Sequence, residues 1–131
     1  MTIIVFTGHR DAHCHPHVFE QLLARFPGAT WIHGGAEGFD TQVDEWAKAH
    51  GIEPKVVRPK YDLFPSEYRN RAPIARNYDM VDVADVVVIC YDGKRTRGGT
   101  WETYQYAKQT KRPYWVVKAH PIPRLSLSSP E

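Results

Sequence analysis

The feature that most constrains the fold is a regular alternation of short apolar runs with segments of helical periodicity. The apolar runs lie at residues 3–6, 29–33, 54–58, 86–91 and 113–117, and the helical segments at about residues 16–25, 39–50, 73–83 and 100–110. Strands that alternate with helices in this way indicate a parallel sheet with helices on both faces. The sequence therefore predicts an α/β, doubly wound fold with five parallel strands in the order 3-2-1-4-5.

Three glycine-containing turns, at residues 7–10, 34–38 and 98–100, each follow a predicted strand, and the last two open predicted helices. Glycine lets the backbone approach a ligand closely, and free N–H groups at a helix start favour an anion. The carboxyl ends of parallel strands share one edge, so we expect the turns to meet at the switch point between the first and fourth strands, where ligands bind in such folds. The residues predicted to bind a phosphate-containing ligand are Thr7, Gly8, Arg10, Gly34, Gly35, Gly38, Gly98, Gly99 and Thr100.

Glycines at a strand–helix junction also serve tight turns that hold no ligand, so a single turn of this kind is a weak signal. Three such turns at one edge favour the ligand interpretation. The sequence nevertheless leaves both roles open for the turn at residues 34–38.

Four polar side chains of the predicted helices complete the candidate site. Asp40 and Glu102 stand in first turns, where the helix dipole favours a carboxylate in any case. As ligand contacts, Asp40 would bind sugar hydroxyls, and Glu102 would stabilise an oxocarbenium-like centre or orient a water. Arg76 and Asn77 lie one turn into the third predicted helix, which begins at the same sheet edge. We expect Arg76 to neutralise phosphate charge, and either Asn77 or Asp40 to bind sugar hydroxyls.

Composition limits the classes of function. The formal charge is +2, and the basic residues are scattered, which gives little support for bulk nucleic-acid binding. The two cysteines, Cys14 and Cys90, form neither a disulfide framework nor a pair with the spacing of metal ligands, which fits a reducing cytoplasm. The histidine-rich loop at residues 9–17 matches no standard zinc-binding motif. No apolar stretch reaches membrane-spanning length. We expect a cytoplasmic protein with no metal site and no cofactor. A divalent cation would bind only as part of a complex with a nucleotide.

The chain divides into one predicted ligand-binding domain, residues 1–118, and a flexible tail, residues 119–131, which is rich in proline and serine. The fourth helix and the last strand of the domain carry the aromatic residues Trp101, Tyr104, Tyr106, Tyr114 and Trp115. A domain of this size does not easily bury so many aromatic side chains. They predict a homodimer contact, the alternative being that they pack inside.

Residues 1–118 resemble the SLOG superfamily, particularly its small YspA-like proteins, and more distantly the DNA-processing DprA domain and the LOG-type phosphoribohydrolases. The residues that carry the resemblance are Thr7-Gly8-His9-Arg10, His33-Gly34-Gly35-Ala36-Glu37-Gly38-Phe39-Asp40 with Trp46-Ala47, Arg76-Asn77-Tyr78-Asp79-Met80 with Ala84-Asp85, and Gly98-Gly99-Thr100 with Ala107. The resemblance implies a Rossmann-like fold that binds nucleotides or nucleotide-derived ligands, frequently as a dimer.

The resemblance also bears on catalysis. In LOG-type enzymes an arginine and a glutamate perform N-glycosidic hydrolysis, and Arg76 matches that arginine. Thr103 occupies the position of the glutamate, while Glu102 stands one residue earlier, a rotation of about 100° on a helix. The sequence therefore predicts a domain that binds a nucleotide or a nucleotide-derived ligand. An N-glycoside hydrolase acting on a nucleoside monophosphate and a DprA-like single-stranded DNA-binding module are the alternatives.

Overall fold

A computed structural model describes residues 1–122 and gives the α/β fold that the alternation predicts. The main sheet contains β1 (Ile3–Gly8), β3 (Thr30–His33), β4 (Lys55–Val56), β5 (Val86–Tyr91) and β6 (Tyr114–Lys118). All pairings in it are parallel, in the order β4-β3-β1-β5-β6. This is the predicted order 3-2-1-4-5, so the Rossmann-like fold is confirmed. β4 is shorter than predicted; it is an edge strand and follows Pro54, which has no N–H to donate to a ladder.

Four helices cover the two faces of the sheet: α1 (His17–Arg25), α2 (Phe39–Ala49), α3 (Ala72–Val83) and α4 (Gly99–Gln109). Alternate residues of β1 point to opposite faces, so Phe6 packs under α1 and α2 while Val5 packs under α3 and α4. Two apolar layers result, one on each side of the sheet. The layer under α1 and α2 is rich in aromatic rings, and Trp31 stacks on Trp46 with ring centroids 5.6 Å apart.

Most aromatic side chains of α4 pack against the second layer. Trp101, Tyr104 and Tyr106 are half-buried there, and Tyr106 stacks on Tyr78 with ring centroids 4.2 Å apart. Tyr114, on β6, remains 37% exposed. The homodimer contact stays a prediction, for which light scattering at high protein concentration is the measurement.

A second, two-stranded sheet pairs β2 (Ala12–His13) with β7 (His120–Pro121) in antiparallel fashion. The predicted tail thus begins with a short strand beside the loop after β1, and its residues 123–131 lie outside the described residues. Two 3₁₀ helices, Tyr61–Leu63 and Ser66–Arg71, occupy the long connection before α3. Within residues 1–122, no helix combines the length and the apolar character needed to cross a membrane.

Candidate ligand-binding site

A cavity of about 1110 Å³ opens at the carboxyl edge of the sheet, where β1 and β5 end. This is the switch point at which the chain turns from one half of the sheet to the other, the usual place for a ligand in such folds. All three predicted turns contribute to its wall: the second through Ala36, and the first and last through Thr7, Gly8, Arg10, Gly98, Gly99 and Thr100. The cavity therefore unites the loop after β1 with the first turn of α4.

The first turn of α4 presents free hydrogen-bond donors to this cavity. The N–H groups of Gly99, Thr100 and Trp101 have no acceptor among the described residues, and no side chain caps the helix. Thr100 is only 8% exposed, yet its hydroxyl has no hydrogen-bond partner there either. A Cβ placed on Gly98 would meet no atom within 4 Å, so the approach to these donors is open. Free N–H groups and the helix dipole together make this turn suited to an anion.

The turn at residues 34–38 uses three of its five N–H groups internally. The N–H groups of Gly34 and Ala36 donate to Oδ2 of Asp40 at 3.2 and 3.1 Å, and the N–H of Gly35 donates to Nδ1 of His33 at 2.9 Å. Gly34, Gly35 and Gly38 do not line the cavity. Of the two roles that the sequence left open for this turn, these contacts favour the structural one.

Asp40, in the first turn of α2, lines the cavity next to Ala36 of that turn. Its carboxyl group is 6% exposed and lines the cavity, and its Oδ1 has no hydrogen-bond partner in the described part of the chain. Burial raises the pKa of Asp40, against the opposing effects of the N–H of Ala36 and the nearby charges of His33 and Arg76. Oδ1 is thus a buried, unused acceptor that a ligand hydroxyl would satisfy.

Asp40→Asn is expected to change how stability depends on pH. The folded protein holds the Asp40 proton more tightly than the unfolded chain, so the wild type loses stability as pH rises from the ordinary value of 3.8 through the folded-state pKa. Asparagine does not titrate. Urea unfolding should therefore show the free energy of unfolding of the variant, relative to wild type, increasing between pH 4 and pH 8. A difference that is constant or reversed over this range would contradict the account of Asp40.

Arg76 lies at the cavity wall, but most of its donors are occupied. It is 8% exposed, and its Nη1 donates to the carbonyls of Gly34 and Val57. Its Nε donates to the carbonyl of Pro73 and to Oδ1 of Asn77. Nη2 has no partner among residues 1–122. The guanidinium group therefore joins the ends of β3 and β4 to α3, and only Nη2 is left for a ligand.

Asn77 and Thr103 join α3 to the first turn of α4. Nδ2 of Asn77 donates to the hydroxyl of Thr103 at 2.9 Å, and that hydroxyl donates to the carbonyl of Gly99 at 2.6 Å. Thr103 is fully buried, whereas Glu102 is exposed and lines the cavity. The one-residue offset seen in the sequence thus places Glu102 toward the cavity and Thr103 toward the protein interior.

Sequence reasoning missed part of the positive charge of the site. The cavity wall carries six lysine and arginine side chains against three carboxylates. Four of the six were not singled out: Arg71, Lys94, Arg95 and Arg97. The last three precede Gly98 in one loop, a signal that was visible in the sequence. Arg71 comes from the long connection before α3, and its position depends on how that connection folds.

Comparison with known proteins identified one family. Residues 2–64 match the model of the YspA, cpYpsA-related SLOG family. This segment runs from β1 through the turn at residues 34–38 to the first 3₁₀ helix. No curated protein and no solved structure matched the chain.

Proposed function

We propose that the cavity binds a nucleotide or a nucleotide-derived ligand through the phosphate groups. The match of residues 2–64 to a SLOG family supports membership of the SLOG superfamily and a nucleotide-related ligand-binding or processing domain in general terms. The site itself supplies the argument for phosphate.

One observation carries the proposal: the free donors of the first turn of α4 open into a cavity with a surplus of positive charge. A phosphate group at this turn would accept hydrogen bonds from the N–H groups of Gly99 and Thr100 and from the Thr100 hydroxyl. Free N–H groups at a helix start and the helix dipole both favour negative charge, so an anion that accepts hydrogen bonds from them gains affinity. Oδ1 of Asp40 would accept a hydrogen bond from a sugar hydroxyl.

Gly99→Glu is expected to weaken this binding without unfolding the protein. A Cβ on Gly99 would meet only Nδ2 of Asn77, at 3.8 Å, so a side chain fits. A carboxylate in the first turn of a helix stabilises the helix through the dipole, but it places negative charge where the phosphate would lie. Gly99→Gln is the matched control because it has the same size and no charge. We expect the glutamate variant to lose affinity by about tenfold or more relative to the glutamine variant.

Isothermal titration calorimetry with nucleosides and their 5′-phosphates is the measurement. Under the proposal, the phosphorylated compounds bind and raise the melting temperature, whereas the bare nucleosides do not. Nucleosides that bind as tightly as their phosphates, or a panel in which nothing binds, would overturn the proposal.

The N-glycoside hydrolase is a second candidate, because Glu102 lies on the wall of the same cavity. In that function its carboxylate would face the anomeric carbon of a bound nucleoside monophosphate. Chromatography of nucleoside monophosphates after incubation with the protein tests the hydrolase function, and the Glu102→Gln variant is the control. Free base released by the wild type alone would support the hydrolase, and intact nucleotide in both samples would rule it out.

A further inference from the structure

We propose that the cavity contains a second phosphoryl-binding position, formed by Arg10, Lys94 and Arg97 beside the first turn of α4. The preferred ligand then carries at least two linked phosphate groups. This inference rests on the proposed function and names the class of ligand within it.

The loop at residues 92–98 is held in place by acidic side chains and by the tyrosine that precedes it. Oδ1 of Asp92 accepts hydrogen bonds from the N–H groups of Lys94 and Arg95, at 2.9 and 3.1 Å. The hydroxyl of Tyr91 donates to the carbonyl of Arg95. The Arg95 side chain is paired on both sides, with Asp11 at 2.8 Å and with Asp92 at 2.9 Å. Arg95 is therefore a structural part of the loop, and its charge is compensated.

His9 fixes the start of this loop to the end of β1. Its side chain is 5% exposed, and its Nε2 lies 3.2 Å from the N–H of Asp92, from which it accepts a hydrogen bond. Burial, assisted by the charge of Arg95, lowers the pKa of His9 and so favours the neutral ring, whose Nε2 has the lone pair that this bond needs. The loop is thus anchored at both Tyr91 and His9.

The remaining cations of this region have no compensating partner. Arg10, Lys94 and Arg97 are exposed and line the cavity, and none of them forms an ion pair or a side-chain hydrogen bond with another described residue. Arg97 directly precedes Gly98, so it flanks the free donors of α4. The anchored loop therefore presents Lys94 and Arg97, and the loop after β1 presents Arg10, at the same wall as the proposed phosphate position.

The charge of the cavity exceeds what one phosphate group would balance. Of its three carboxylates, Asp11 is paired with Arg95, and Asp40 lies near the charge of Arg76. The third carboxylate, Glu102, is then the only negative charge left to balance four cations of the wall that form no ion pair in residues 1–122: Arg10, Arg71, Lys94 and Arg97. A single phosphate monoester carries about −1.5 to −2 charges at neutral pH. A diphosphate matches the surplus better, and the cavity has the volume for it.

Calorimetric titration with inorganic phosphate, pyrophosphate and tripolyphosphate at constant ionic strength tests the inference. We expect pyrophosphate to bind about tenfold or more tightly than phosphate, because a second group gains charge-assisted hydrogen bonds. The double variant K94A/R97A should lose this advantage while phosphate affinity changes by less than about threefold. The matched control is K55A/K118A, which removes two exposed lysines that do not line the cavity and should keep the advantage.

The outcomes separate this inference from the proposed function. If nucleoside monophosphates bind but pyrophosphate binds no more tightly than phosphate, the second position is wrong and the proposed function stands. If pyrophosphate is preferred and K94A/R97A keeps the full preference, the assignment to these cations is overturned. If neither nucleotides nor inorganic phosphates bind, the proposed function fails and this inference fails with it.

Discussion

Gly38→Ala is expected to destabilise the protein by about 2–5 kcal/mol, the largest effect of any single methyl group added near the site. The φ of Gly38 is +75°, and a Cβ there would lie 2.3 Å from the carbonyl oxygen of Arg10. A positive φ costs a residue with a side chain about 1–2 kcal/mol, and a clash with backbone adds about 1–3 kcal/mol. The loop after β1 would have to move away from α2, and Arg10 would leave the cavity wall with it.

Gly51→Ala is the matched control for this prediction. Gly51 has a similar φ of +79°, but a Cβ there would meet no atom within 4 Å. The control variant should therefore show only the cost of the positive φ, about 1–2 kcal/mol. Urea unfolding of both variants is the measurement. Equal losses in the two would mean that the close packing of Gly38 against Arg10 is not a feature of the folded protein.

Arg76→Ala is expected to destabilise the protein by about 3–5 kcal/mol, beyond any effect on ligand affinity. The substitution leaves the carbonyls of Gly34 and Val57 without their donor and removes a positive charge that lies near the buried carboxyl group of Asp40. Arg76→Lys should rescue only part of the loss, because an ammonium group cannot reproduce the planar guanidinium, whose Nη1 bonds these two carbonyls while its Nε bonds Pro73 and Asn77.

Arg71→Ala is the control for Arg76→Ala. Arg71 also lines the cavity, but it is exposed and makes no ion pair within residues 1–122. Its removal should change the free energy of unfolding by less than about 0.5 kcal/mol. Tryptophan fluorescence during urea unfolding measures the free energy of unfolding of both variants. Comparable stability of the two would show that Arg76 does not hold β3, β4 and α3 together.

The fold was predictable because its signals are local. The continuous apolar run at Val86–Tyr91 and the alternation of strands with helices fix a parallel sheet, and the β5 bounds match the prediction residue for residue. The anion-suited turn of α4 was predictable for the same reason, since Gly98, Gly99 and Thr100 directly follow that strand and open a helix.

The rest of the site depends on side-chain geometry that spacing does not encode. The turn at residues 34–38 begins with a glycine pair, as the turn of α4 does, yet Asp40 and His33 occupy three of its N–H groups. Arg76 lies at the cavity wall, but its bonds to the carbonyls of Gly34 and Val57, just after β3 and β4, arise only once the sheet has formed. The offset between Glu102 and Thr103 was visible, because one residue on a helix changes the face by about 100°.

A crystal structure of the protein with a bound nucleoside diphosphate tests the central claim most directly. The account predicts a phosphate oxygen within about 3 Å of the N–H groups of Gly99 and Thr100, which is hydrogen-bond distance. It also predicts the sugar on the side of Asp40. A nucleotide bound at the amino ends of the strands, or in the apolar groove lined by Leu63, Phe64 and Met80, would contradict the claim.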